Sequence, residues 1–128
     1  MQETIAKAKR AAIRRQWDEA DNYLRAALLQ ANADTLKELG ELMELLATDC
    51  QSLQLDDLMV WATEWVVQLQ PQRVGAYLRL GLHYARHGQY QTGLEWLKRG
   101  LEMVEAGGPD EMLLQRTYRR LLRRSNPY

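Results

Sequence analysis

Phenylalanine is absent from this 128-residue sequence, cysteine occurs once and proline only three times. A single thiol, Cys50, excludes an internal disulfide framework and a cysteine-rich metal site. Scarce proline, with eight glycines, suits helices joined by short turns. No apolar run approaches the roughly 18 residues that a membrane span requires. The N-terminal MQETIAKAKRAAIRRQW is basic but has no apolar h-region, so it does not read as a secretory signal. Glu3, Asp18 and Glu19 argue against a mitochondrial presequence. Together these absences predict a soluble, cytoplasmic chain.

Net charge is missing too, with 17 basic residues against 17 acidic ones. The balance hides a polarity. Residues 34–71 hold eight acids and one base, Lys37, whereas residues 72–128 hold ten bases and five acids. Two readings stay open: ordinary solvated helix faces, or a polarised binding surface.

What is present is apolar and periodic. Hydrophobic residues make up 46% of the chain and include four Trp, enough for a core and for one domain over residues 1–128. Ile5, Ala8, Ala12 and Ile13 recur at helical spacing, as do Leu36, Leu39, Leu42, Met43 and Leu46 behind an N-cap-like Asp34. A further helix is expected from Leu53 to Gln70, ending at Pro71. Gly107-Gly108 breaks the chain, and Pro109-Asp110-Glu111 begins a last helix, with acids suited to the positive end of its dipole. Its apolar face is read as Met112, Leu113, Leu114, Tyr118, Leu121 and Leu122.

Between these lies AYLRLGLHYARHGQYQTGLEWLKRGLE, residues 76–102, with a break at His87-Gly88-Gln89. Tyr77, Leu80, Gly81 and Tyr84, followed by Gly93 and Leu97, keep the spacing W-x2-L-G-x2-Y…A-x3-F. The stretch thereby resembles a tetratricopeptide repeat, with Tyr for Trp, Gly for Ala and Leu for Phe. Trp17-Asp18-Glu19-Ala20, then Leu24 and Ala27, resembles the second helix of another such repeat. The spacing predicts that Gly81 faces Gly93 and Gly100. Leu39-Gly40 precedes Leu80-Gly81 by 41 residues against a repeat period of 34, so an insertion of about seven residues is expected, at Thr48–Ser52.

The resemblance implies an all-α fold: a right-handed superhelical stack of about three helical hairpins plus a C-terminal capping helix. The hairpins fall at about residues 1–33, 34–71 and 74–106, and the cap at about 109–124. It also implies a non-catalytic protein–protein interaction module, an adaptor or chaperone-like assembly factor without a cofactor, holding a partner segment in a concave groove. Carried onto the first helix of each hairpin, that groove takes Gln2, Ile5, Lys9 and Ile13, then Lys37, Glu38, Glu41 and Leu45, then Leu78, Arg79, Leu82 and Arg86. Ile5, Lys9 and Glu38 stand at places where the repeats that clamp chaperone C-termini use Lys and Asn, so that activity is not expected. Leu78 and Leu82 offer an apolar strip between two arginines, unless the final helix or a neighbouring hairpin covers them.

Candidates for chemistry are thin. His83 and His87 lie four apart on a helix, but Tyr84, Ala85 and Arg86 stand between them where a metalloprotease helix carries its glutamate. No metal site is expected. Cys50 is expected in a loop, without a neighbouring His, and is read as incidental. The chain is not expected to be an enzyme. Arg116, Arg119, Arg120, Arg123 and Arg124 form a secondary basic patch. They leave two alternatives open: a helical protein that associates with nucleic acid, or a subunit that self-associates through acidic-middle to basic-end contacts.

Overall fold

A computed structural model describes residues 2–125, which form seven α-helices and no strand among the described residues. They are α1 (Gln2–Ile13), α2 (Trp17–Leu29), α3 (Ala33–Ser52), α4 (Asp56–Leu69), α5 (Val74–Arg86), α6 (Tyr90–Met103) and α7 (Pro109–Ser125). No helix is long and apolar enough to cross a membrane among these residues. The chain divides into two compact units, Met1–Ala62 and Thr63–Tyr128, with α4 running through the division.

One local motif recurs three times. Arg15, Gln54 and Gly88 each follow a helix with positive φ, at 62°, 59° and 77°. Each donates its N–H three residues back, to Ala12, Gln51 and Ala85. The next residue in each case, Gln16, Leu55 or Gln89, donates five residues back, to Ala11, Cys50 and Tyr84, at 2.8–2.9 Å. These paired bonds satisfy the carbonyls that a helix end leaves without partners. The carbonyls of Gln16, Leu55 and Gln89 then accept from Ala20, Met59 and Gly93, opening α2, α4 and α6. Three helix–turn–helix connections therefore share one turn geometry. Glycine meets its conformational demand once and Arg and Gln twice.

Registered on these turns, Ala8, Ala47 and Gly81 occupy one position, seven residues before Arg15, Gln54 and Gly88, and all three are buried. The second and third turns are 34 residues apart. The expected insertion at Thr48–Ser52 is absent, because those residues are helical. α3 has 20 residues against 13 in α5, and the seven additional ones lie at its N-terminal end. Seven residues are close to two helical turns, so they extend α3 with little rotation of its faces. Leu46-Ala47, rather than Leu39-Gly40, is the counterpart of Leu80-Gly81. The start of α3 differs as well. Asn32, not Asp34, is the N-cap: its Oδ1 accepts from Thr35 N at 2.9 Å, and its own N–H donates to Thr35 Oγ1 at 2.7 Å.

In the first unit α1 packs on α2, with Ala8, Ala12, Ala20 and Leu24 fully buried. The first half of α4 is tied to that pair by polar and aromatic contacts. Trp61 Nε1–H donates to Asp21 Oδ1 at 2.8 Å, its ring lies 6.2 Å from that of Trp17, and Arg15 pairs with Asp57 at the turn.

In the second unit α5 and α6 run antiparallel, Tyr77 meeting Gly100 at one end and Ala85 meeting Gly93 at the other. Gly81 faces Gly93, as the spacing predicts, but Gly100 faces Tyr77 rather than Gly81. α7 packs on α6, and Leu94, Leu97, Leu114 and Leu121 form the cluster between them. Burying each such side chain stabilises the unit by about 1.5–3 kcal/mol. Only part of the expected apolar face of α7 is used. Leu114 and Leu121 are buried and Tyr118 half-buried, while Met112, Leu113 and Leu122 are exposed.

Candidate functional site

The first unit contains a concavity of about 460 Å³ between the C-terminal ends of α1 and α3 and the turn that leads into α4. That volume falls in the range of ligand and side-chain pockets. Its walls are mainly apolar: Ala12, Ile13, Leu46, Leu53, Leu55 and Leu58, with Cys50 among them. Lys9, Asp49 and Ser52 supply the polar groups. Three of the apolar residues project into solvent, Ile13 at 52% exposure, Leu53 at 70% and Leu55 at 38%.

The local sequence explains the shape. α1 stops at Ile13 because the chain turns through Arg15, and α3 stops at Ser52 because it turns through Gln54. Two helix ends with the same turn thus project apolar side chains beside each other, and Leu53 and Leu55 flank the second turn. Cys50 is not in a loop. It lies in the last turn of α3, 4% exposed. Burial pushes its thiol above the usual 9.0, Lys9 opposes the shift, and Asp49 and Asp57 reinforce it. Such a thiol stays protonated and unreactive near neutral pH.

The residues expected to line a groove separate into groups. Lys9 and Ile13 border the concavity. Lys37, Glu38 and Glu41 are exposed on α3 and do not line it, and Leu45 beside them is exposed too. Gln2 belongs to α1, but its side chain lies outside the described residues. In the second unit Leu78 and Leu82 are half-buried against the Leu94–Leu121 cluster, so they form no open apolar strip. Arg79 is half-buried and donates to Thr63 Oγ1 at 3.2 Å, whereas Arg86 is exposed. His83 and His87 lie with ring centroids 4.5 Å apart and planes tilted by 43°, and His87 Nδ1 lies 2.8 Å from the His83 carbonyl.

Arg116, Arg119, Arg120, Arg123 and Arg124 are all exposed on α7. A shallow hollow of about 650 Å³ runs along that helix, beside Met112, Gln115, Arg116, Arg119, Leu122 and Arg123.

Leu46, Asp49, Cys50, Leu53 and Leu55 were not expected at a site. An insertion at Thr48–Ser52 would separate these residues, whereas the unbroken α3 brings them together. The signal that finds them is the recurrence of the turn itself, Arg15-Gln16 and Gly88-Gln89 pointing to Gln54-Leu55. Comparison of the chain with protein-family models, with curated proteins and with solved structures finds no match.

Proposed function

We propose that the chain is a non-catalytic protein–protein interaction module, a right-handed stack of tetratricopeptide-like hairpins that holds an amphipathic segment of a partner protein. The observation that carries this reading is the apolar concavity between α1, α3 and the Leu53–Leu55 turn. Three helix–turn–helix connections with one turn geometry, two of them in a 34-residue register, support the architecture. Apolar side chains of a partner displace water from the walls, each gaining about 1.5–3 kcal/mol when fully buried. Lys9 and Asp49 meet charged groups that flank those side chains. The two helix ends are already in place, so binding costs little reorganisation.

The shifted groups among the described residues favour binding over chemistry. Cys50, Tyr77 and Tyr84 are all displaced first by burial, which keeps each neutral.

The test is affinity capture by the full chain from its native host, compared with an Ile13→Asp/Leu53→Asp double variant. The wild type is expected to enrich a protein that the variant loses, with unchanged far-UV circular dichroism, and a peptide from that protein should compete. Equal retention by the variant would show that the concavity is not the contact.

A further inference from the structure

Two exposed helix faces, one on each unit, carry the same spacing with opposite charge. On α3 the residues Asp34, Glu38, Glu41 and Leu45 fall at i, i+4, i+7 and i+11, one stripe of a helix, and all four are exposed. On α7 the residues Met112, Arg116, Arg119 and Arg123 fall at the same four positions and are also exposed. The apolar member stands last in one stripe and first in the other. Each is prominently displayed, Leu45 at 58% exposure and Met112 at 60%.

We propose that the α7 stripe of one copy docks antiparallel on the α3 stripe of a second copy. In that direction Met112 meets Leu45, Arg116 meets Glu41, Arg119 meets Glu38 and Arg123 meets Asp34. The parallel direction sets Met112 against Asp34 and Arg123 against Leu45, losing the apolar contact and one charge pair. Charge complementarity therefore selects both the partner and the orientation. The helices are long enough, at 20 and 17 residues, to carry four matched positions.

One further observation favours a second copy over another acidic partner, and three more describe the two stripes. The chain's formal net charge is zero, so copies approach without long-range repulsion. Arg116, Arg119 and Arg123 make no hydrogen bond or ion pair with other described residues, so their charges are available. Leu122 flanks the α7 stripe, 46% exposed, and extends the apolar contact. Lys37, the one basic residue of α3, lies at i+3 from Asp34 and i−4 from Glu41 and borders the acidic stripe. The contact joins two different faces, so a docked pair keeps one free α3 stripe and one free α7 stripe between its two copies. This assignment does not rest on the concavity at Ile13 and Leu53, and the two are tested by different variants.

Sedimentation velocity of the full chain over a concentration series, at low and high salt, tests it. The wild type should associate with rising concentration and dissociate as salt screens the pairs. Arg116→Glu/Arg119→Glu and Glu38→Arg/Glu41→Arg should each weaken association by about tenfold or more. Their equimolar mixture should restore it, because the reversed faces are again complementary. Circular dichroism of each variant guards against unfolding. A wild type that stays monomeric throughout would overturn the proposal, as would association indifferent to both reversals or one that nuclease treatment abolishes. The last result would assign the arginines to nucleic acid instead.

Discussion

A β-carbon placed on Gly93 would lie 2.7 Å from the carbonyl oxygen of Gly81, closer than side chains approach a backbone atom. The α5–α6 crossing is therefore set by two glycines whose backbones meet. Helix propensity alone favours Ala over Gly by roughly 1 kcal/mol, so packing at the crossing must outweigh that preference.

Gly93→Ala is expected to destabilise the second unit by about 1–3 kcal/mol, because backbone cannot yield as a flexible side chain can. Gly93→Leu should prevent α5–α6 packing altogether. Gly75, exposed in the first turn of α5 with nothing within 4 Å of its missing β-carbon, provides the control. Gly75→Ala should stabilise by about 0.5–1 kcal/mol. Urea unfolding of the two Ala variants checks the opposite signs. Stabilisation by both would remove the close crossing as the explanation.

Gln54 holds the left-handed conformation at φ 59°, where Gly88 stands in the equivalent turn. Gln54→Gly should stabilise the chain by about 1 kcal/mol by relieving contact between its β-carbon and the backbone. The gain at Arg15 should be smaller, because Arg15 also pairs with Asp57 and donates to the Ile13 carbonyl at 2.7 Å. Thermal unfolding of Gln54→Gly and Arg15→Gly measures the difference. Equal gains would mean that the Arg15 contacts contribute nothing.

Alkaline pH should weaken the fold. Burial raises the Cys50 thiol above its usual 9.0, and it raises the Tyr77 and Tyr84 hydroxyls above 10.0. Arg99 partly offsets the shift at Tyr77, and Glu64 adds to it at Tyr84. In each case the folded state holds its proton more tightly than the unfolded chain. Their contribution is fully present below the usual values and is lost as pH rises through the folded ones. Denaturant midpoints should fall beyond pH 9.0, and Cys50→Ala should remove the earliest part of the decline. A flat profile to strongly alkaline pH would contradict the burial of all three groups.

The sequence by itself determined the helical class, because period and breaker residues act locally. Pro109 and Gly107-Gly108 placed the start of α7, and the Gly81–Gly93 spacing anticipated their contact. Trp17-Asp18-Glu19-Ala20 likewise begins a helix, α2. Locality also explains the errors. Asn32 capped α3 in place of Asp34 because a cap is chosen by hydrogen-bond geometry, and both residue types accept equally well.

Only the tertiary structure decided the rest. Thr48–Ser52 stayed helical because Cys50 and Ala47 are buried, which overrides a polar run with little helix preference of its own. Leu78 and Leu82 left the expected groove because the Leu94–Leu121 cluster covers them, and no spacing along one helix reports what another brings to it. The concavity beside Ile13 and Leu53 has the same origin. It exists only where two helix ends, 39 residues apart in sequence, are turned toward one another.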